Sequence, residues 1–273
     1  MQGLTRHKLS SQRLRLEHYL VPWDTEVFGQ PVAQIEKFAL LVGPVDPQGA
    51  AASDFQAYED WRASQGVVLD MAKLGAADLP EVTFLEARGF RWMETQYRLS
   101  WALGLERPEA DAGLHVAPLQ DGDLACVEMV AAHAFETSRY AMDPAVGSEW
   151  AGRRYKAWLH NALQGGVQQV LVARDGGGEL VGFFVVQQTD ELGYWHLTAI
   201  DPARQGQGYG VRLWRHMMAW QVARGVRRIE TSVSGHNLRV LGLYGRLGFR
   251  FSQGIITMHR GGLHSAPDGG DGA

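Results

Sequence analysis

The sequence predicts an α/β protein with a mixed α+β sheet, built as two tandem domains of related design. Runs of strand length alternate with helical patterns along both halves of the chain. The segment Phe84-Leu85-Glu86-Ala87-Arg88-Gly89-Phe90-Arg91 is echoed by Leu243-Tyr244-Gly245-Arg246-Leu247-Gly248-Phe249-Arg250. In each copy an apolar helix breaks at glycine and the chain returns at once as a strand. Between the halves, Gly104 to Gly113 carries Pro108, three acidic residues and little apolar content, the signature of a linker. The expected division is a first domain over 1–103, a linker over 104–113, a second domain over 114–260 and a loose, glycine-rich tail over 261–273.

The first domain is expected to begin near Leu20-Val21-Pro22-Trp23. Phe38 to Val42 reads as a strand ended by Gly43-Pro44 and a loop through Gly49, and Phe55 to Arg62 as a helix. Gly66 to Met71 reads as a strand, and Ala76 to Ala87 as a helix stopped by Gly89. From Arg91 to Trp101, Trp92, Glu94, Gln96 and Arg98 alternate with Met93, Thr95, Tyr97 and Leu99, the period of a half-buried strand. In the second domain His115-Val116-Ala117 opens a strand, and Asp121 to Phe135 and Glu149 to Leu163 read as helices. Strands follow at Gln169–Ala173, Leu180–Gln187 and Leu192–Ile200, with a hairpin signal at Asp175-Gly176-Gly177-Gly178. A helix over Gly208–Ala223, a strand over Arg228–Val233, a helix over Leu238–Leu247 and a strand over Arg250–Met258 complete the order.

Composition narrows the classes. With 45% hydrophobic residues in 273, the chain can bury a sizeable core without metal or disulfide. A formal charge of -4 offers no broad attraction for nucleic acid or an anionic membrane. Neither a secretion signal nor an apolar run of membrane-spanning length is evident, so a cytoplasmic location is the default expectation. The single cysteine, Cys126, has no partner for a bridge or a thiolate metal site, and its apolar helical setting predicts a buried thiol.

The sharpest local signal is Ile200-Asp201-Pro202-Ala203-Arg204-Gln205-Gly206-Gln207-Gly208-Tyr209-Gly210, between a strand and an amphipathic helix. Glycines allow backbone N–H groups to converge on one anion, with the positive helix start behind them. A pyrophosphate is the natural ligand; a tight turn packed beneath the helix is the plain alternative. No Gly-Lys-Ser or Gly-Lys-Thr follows, which disfavours a triphosphate loop, and no ribose-binding acid follows a second parallel strand.

With Gln205-x-x-Gly208-x-Gly210 after Ile200-x-Pro202, then Asn237 and Tyr244 before Leu247-Gly248-Phe249, the second half resembles the GCN5-related N-acetyltransferase superfamily. The resemblance implies acetyl-CoA as acetyl donor, with its phosphates at Gln205, Gly206, Gln207, Gly208, Tyr209 and Gly210. It also implies a pantetheine arm along Leu197, Thr198, Ala199 and Ile200. Trp23-Asp24-Thr25-Glu26-Val27-Phe28-Gly29 is similar to an amino-terminal segment of amino-sugar N-acetyltransferases of the TDP-fucosamine acetyltransferase group. Their organisation implies a degenerate first domain and a coenzyme-binding second one. The first copy of the echo accordingly has Leu85 where the second has Tyr244.

Amine attack on a thioester needs a base, oxyanion stabilisation and a route out for the thiolate. Tyr244 is the candidate general acid; the alternative is a ring packed on the sheet that only orients coenzyme A. His196 is the candidate base, against a structural histidine or a water chain in its place. Strand parity puts Tyr194 and His196 on one face and Trp195 and Leu197 on the other. Glu191 and Glu230 are weaker candidates. Asn237 either contacts the pantetheine arm or caps the helix that follows. Arg139, Tyr140 and Asp143 are the candidate acceptor-binding residues, with Asp24 and Phe28 either shaping the same cleft or serving a turn and the core. The leading expectation is direct acetyl transfer to the primary amine of a nucleotide-linked amino sugar, with no metal. The alternatives are another small amine, an antibiotic or a protein amino terminus, or a noncatalytic coenzyme-binding protein. A monomer and a sheet-mediated dimer both suit the sequence.

Overall fold

A computed structural model describes residues 4–41, 49–105 and 107–264. The stop expected at Gly43-Pro44 and the end of the expected tail lie outside those residues. In chain order the strands and helices are β1 (His7–Ser10), β2 (Leu14–Leu20), α1 (Pro22–Phe28), β3 (Val32–Leu40), α2 (Ala50–Ser64), β4 (Leu69–Gly75), α3 (Leu79–Glu86) and β5 (Arg91–Ala102). The second half continues with β6 (Leu114–Pro118), α4 (Leu124–His133), α5 (Arg139–Met142), α6 (Ser148–Gln164), β7 (Gln169–Asp175) and β8 (Leu180–Thr189). It ends with β9 (Leu192–Ile200), α7 (Tyr209–Val222), β10 (Arg228–Ser234), α8 (Leu238–Arg246) and β11 (Arg250–Gly261).

These elements form two compact units that interleave in sequence. Of the described residues, one unit holds Glu94–Met142 and Ser148–Ile255; the other holds those before Glu94, Asp143–Gly147 and those from Ile256 to His264. In the amino-terminal unit β1, β2 and β3 are antiparallel neighbours and β4 joins β3 in parallel. A parallel neighbour requires a crossover, which α2 provides. Its core is aromatic, with Phe38, Phe55 and Phe84 in mutual ring contact. Phe28 belongs to the buried residues of this unit, and Asp24 is buried on the same short helix.

In the second unit the strand order is β5-β10-β9-β8-β7-β6. In it β9 and β10 are parallel neighbours joined by α7, whereas β5 with β10, β6 with β7, β7 with β8 and β8 with β9 are antiparallel. Leu213, Trp214, Met217 and Met218 of α7 and Leu243 and Tyr244 of α8 form one core with Phe184, Val186 and Trp195. Because successive strand residues face opposite ways, Phe183 and Val185 face the other side, where α4 packs on β8 and β9. Residues Val127, Val130 and Ala131 form the buried stripe of α4. Cys126 falls off that stripe and is exposed, which corrects the expectation of a buried thiol.

The internal echo marks equivalent positions in a repeated design. In each half a parallel strand pair is joined by a helix, and the next helix ends at a left-handed glycine, Gly89 (φ 83) or Gly248 (φ 78). Phe90 and Phe249 then donate their N–H groups to the carbonyls of Leu85 and Tyr244, both at 3.1 Å. The repeats exchange their last strands. Ala102 back to Gln96 of β5 pairs with Arg228 to Ser234 of β10, whereas β11 from Ile256 onward belongs to the amino-terminal unit. A cut at residue 103 therefore runs through the sheet of the second unit. The stretch read as a linker is tied into that unit by Asp111, which accepts from Arg212 Nε at 2.7 Å and donates its N–H to His216 Nδ1 at 3.1 Å. At the carboxy-terminal end, Gly262 N–H donates to Val68 O at 3.1 Å and Leu263 N–H to Ala145 O at 2.8 Å, so the start of the expected tail is hydrogen-bonded structure.

Candidate active site

The parallel pair at the centre of the second unit opens part of the way along. β9 and β10 are paired from Leu192↔Arg228 to Trp195↔Thr231, although β9 runs on to Ile200 and β10 to Ser234. Beyond that point each strand follows its antiparallel neighbour, β9 to Gly182↔Ile200 and β10 to Ser234↔Gln96. Thr231 Oγ1 donates to Trp195 O at 2.9 Å and closes the ladder at the fork. Residues His196 to Ile200 thus have one side of their backbone without a strand partner among the described residues. This freed edge contains the stretch Leu197–Ile200 singled out in the sequence.

A bulge sits at the fork. Val186 opposes Trp195 but Val185 opposes Leu197, so His196 is an extra residue in β9. Directly opposed residues share a face, which places Thr198 with Phe184 on the α7/α8 side and Leu197 with Val185 on the α4 side. The expected grouping of Leu197 with Trp195 is therefore corrected: the added residue inverts the parity of everything after it. Tyr194 and His196 do share a face, with rings 4.7 Å apart, and Trp158 of α6 borders His196 at 6.2 Å.

The acid and base candidates flank the fork from opposite faces of the sheet. His196 Nε2 meets Gln187 Oε1 at 3.2 Å; a carboxamide oxygen only accepts, so Nε2 carries the hydrogen and Nδ1 keeps its lone pair. Burial pushes the imidazole below its usual 6.5, which keeps it neutral at neutral pH. Tyr244 is 1% exposed, with Phe249 4.7 Å away ring to ring. Burial raises the phenol, and Trp214, Thr198 and Thr231 close to its hydroxyl only partly offset that. The Trp214 indole N–H approaches without completing a hydrogen bond of normal geometry. Tyr244 is thus a proton holder at neutral pH.

The glycine turn follows the freed edge. Asp201 Oδ1 accepts from Ala203 N at 2.9 Å and starts a single 3₁₀ turn over Pro202–Arg204. Gly206 and Gly208 have φ of 78° and 82°, and Gly208 is the N-cap of α7. A Cβ at either would touch nothing within 4 Å, so open space lies above a backbone whose dihedrals favour glycine. Among the described residues the N–H groups of Gly206 to Gly210 have no backbone acceptor, as expected at a helix start. The turn is pinned by Tyr209 Oη donating to Asp175 Oδ2 at 3.3 Å and Gln207 Nε2 donating to Ala203 O at 3.0 Å. Gln205 donates to Ile200 O at 3.4 Å and accepts from Arg239 Nη1 at 3.1 Å. Gly210 lies under Leu243 of α8, 3.8 Å from the position a Cβ would take. These open, donor-bearing residues fit the linked phosphates of a coenzyme A moiety.

Asn237 is the N-cap of α8: its Oδ1 accepts from Val240 N at 3.1 Å. Its Nδ2 donors and the second lone pair of Oδ1 remain for a coenzyme contact. The acceptor-side candidates separate. Arg139 Nη2 donates to Tyr140 Oη at 2.8 Å and Nη1 lies 3.9 Å from Glu94, all buried in the second unit. Burial disfavours the Arg139 charge, but Tyr140 and Glu94 outweigh it. Asp143 belongs to the other unit, fully buried, accepting from Ala145 N at 2.9 Å and meeting His259 Nδ1 at 2.8 Å. Two residues at the fork escaped the sequence reading: Gln187, whose Oε1 meets His196 Nε2, and Thr231, which closes the ladder.

Fold and fork together define a class, the mixed α+β GNAT fold. Residues 130–249 match the family model described as Acetyltransferase (GNAT) family. The chain is similar to mycothiol acetyltransferase of Kineococcus radiotolerans, 36% identical over 149 residues that cover 52% of this chain and 44% of that one. It is 26% identical over 144 residues to the spore coat polysaccharide biosynthesis protein SpsD of Bacillus subtilis, covering 53% and 50%. It therefore spans about half the length of these relatives. Mycothiol acetyltransferase of Beutenbergia cavernae is 28% identical over 264 residues, covering 88% of this chain and 85% of that one. Among solved structures, a GCN5-related N-acetyltransferase from Sphaerobacter thermophilus shares the fold with a TM-score of 0.62 at 16% identity, covering 94% of this chain and 83% of that one. A tandem GNAT protein from the clavulanic acid biosynthesis pathway does so with a TM-score of 0.58 at 15% identity, covering 93% and 80%. The family uses acetyl-CoA as acetyl donor. Among the described residues no helix is long and apolar enough to cross a membrane.

Proposed function

We propose that the protein is an acetyl-CoA-dependent N-acetyltransferase acting by direct attack of a primary amine, with an amino sugar, free or nucleotide-linked, as acceptor. The fork at Trp195/Thr231, opening directly into the glycine turn, is the observation that carries this reading. Relatives named for mycothiol acetylation and for polysaccharide biosynthesis support it. When bound, acetyl-CoA supplies an acetyl group activated as a thioester. Gln205 to Gly210 hold its phosphates, Leu197 to Ile200 line its pantetheine arm, and Asn237 donates to it through Nδ2. His196 Nδ1 takes the proton of the attacking amine, and Tyr244 Oη supplies one for the departing thiolate. Incubation with acetyl-CoA and a broad amine panel, with coenzyme A release and product mass as readouts, tests the reading. Binding of acetyl-CoA without release of coenzyme A or any acetylated product would sink it.

Two quantitative expectations belong to this machinery. Gly208→Ala must place a side chain at φ 82°, which costs roughly 1–2 kcal/mol and displaces the N–H donors at the start of α7. Calorimetry with coenzyme A should show about tenfold weaker binding, on the order of 1.4 kcal/mol; unchanged affinity would remove the turn from the site. Tyr244→Phe keeps the buried ring and removes the proton. Single-turnover rates should fall by roughly tenfold with coenzyme A affinity preserved, and an unchanged rate in that regime would leave Tyr244 as packing alone.

A further inference from the structure

Beside the fork, the second unit's sheet is polar where a sheet interior is ordinarily apolar. Ile229 and Val233 of β10 belong to the core under α7 and α8, which puts Glu230, Ser232 and Ser234 on the opposite face. On that face Ser100, Arg98 and Gln96 of β5 pair with them, and Tyr194 of β9 pairs with Glu230. Strand β10 lies between β9 and β5, so its polarity is not that of a sheet edge. Arg98 is exposed and the others are half-buried, the state of a ligand face rather than of a core. At the fork this face carries two hydroxyls in contact. Tyr194 Oη and Ser232 Oγ lie 3.2 Å apart, and Ser232 is one residue past the last rung, Trp195↔Thr231. A bond between two hydroxyls uses one of their two hydrogens. Among the described residues neither oxygen has a second hydrogen-bond partner, so one O–H and several lone pairs remain. The Tyr194 ring is 4.7 Å from that of His196.

We propose that the Tyr194–Ser232 hydroxyl pair binds a hydroxyl group of the acceptor, on the same small molecule whose amine reaches His196. This deepens the N-acetyltransferase reading and rests on it for the amine at His196; the substrate class it names is an amino alcohol of the sugar type. A ligand hydroxyl both donates and accepts, and the pair offers the matching roles: its remaining O–H for the ligand's oxygen, its lone pairs for the ligand's hydrogen. Away from the pair, Ser100, Gln96 and Ser234 continue the same face with further small donors and acceptors, which suit a body carrying several hydroxyls. The acid of this face, Glu230, is paired with Arg228 on its own strand and so is not set aside for a second ammonium group, which argues against a polyamine. A simple alkylamine would leave the hydroxyl pair unmet. A site built to hydrogen-bond a hydroxyl discriminates strongly against an analogue that lacks one, because its own polar groups then go unpaired.

Glucosamine and cyclohexylamine are the probes, with the full chain: both are ring-bearing primary amines, and only the first carries hydroxyls. Ser232→Ala and Tyr194→Phe should each lower kcat/KM for glucosamine about tenfold and leave that for cyclohexylamine within about twofold of wild type. Each ratio is taken within one amine, so the different basicities of the two cancel. The double variant should lose little beyond either single one, because the two hydroxyls act as a unit. Ser232→Thr, which keeps a hydroxyl at that position, should recover most of the rate. Equal losses for both amines would reduce the pair to a structural link across the fork and overturn the assignment. Glucosamine kinetics unchanged in both single variants would do the same. Saturation-transfer NMR of glucosamine with the coenzyme A-loaded protein separates this site from the enzyme reading. Binding that depends on Ser232, without acetyl transfer to any amine, would sink the enzyme reading and leave the hydroxyl site standing; no binding of glucosamine at all would overturn the site.

Discussion

His196→Gln is expected to lower the acetyl-transfer rate by about 10²–10³-fold, the loss that follows removal of a positioned general base. Glutamine can still donate an amide N–H to Gln187 Oε1, so the contact that His196 makes at 3.2 Å has a substitute and the bulge need not collapse. The missing element is the lone pair at Nδ1. The pH dependence separates chemistry from architecture. Because burial lowers the imidazole below 6.5, the base is deprotonated across neutral pH and the wild-type rate should fall only on acidification below that value. That acid limb should vanish in His196→Gln, leaving a flat, slow profile. A variant with the wild-type rate and the same acid limb would assign base chemistry to a water chain.

What could be read in advance was whatever the chain states locally. The bounds of β9 and the start of α7 follow from a strand-length apolar run and from Asp201-Pro202 with glycines at left-handed positions, requirements each residue meets alone. The cap shared by Gly89-Phe90 and Gly248-Phe249 was legible for the same reason. Pairings were not. The alternation from Arg91 to Trp101 announces a strand, yet nothing in it says that β10 of the other repeat will be its partner. The bulge at His196 was hidden because burial still alternates along β9 on either side of it. Its effect is nonetheless central: without the added residue, Thr198 would not share the Tyr244 side of the sheet. Asp143 shows the limit of proximity in sequence. Four positions from Arg139, it is drawn into the other unit by His259, 116 positions away.

Acidification should also destabilise the amino-terminal unit through one side chain, His18. Its ring is 4% exposed, wedged 4.3 Å from Trp61, 4.8 Å from Tyr58 and 5.4 Å from His7 between centroids. Neither ring nitrogen has a hydrogen-bond partner among the described residues. Burial first, and the adjoining His7 second, lower the folded-state pKa to about 4 from 6.5. The unfolded chain therefore binds this proton first as pH falls. Above 6.5 both states are neutral and His18 adds no pH dependence; between 6.5 and about 4 folding stability declines by about 1.4 kcal/mol per pH unit. The full loss is about 3 kcal/mol, a large share of a typical folding free energy. His18→Phe keeps a ring against Trp61 and Tyr58 and abandons no hydrogen bond. Denaturant unfolding of both chains at pH 7.5 and pH 5 should give a stability difference that moves by roughly 2 kcal/mol in favour of the variant on acidification. Carboxylates that titrate over the same range are common to both chains and cancel in that difference. Parallel acid slopes for the two would mean that water or a rearranged His7 receives the His18 proton in the folded state.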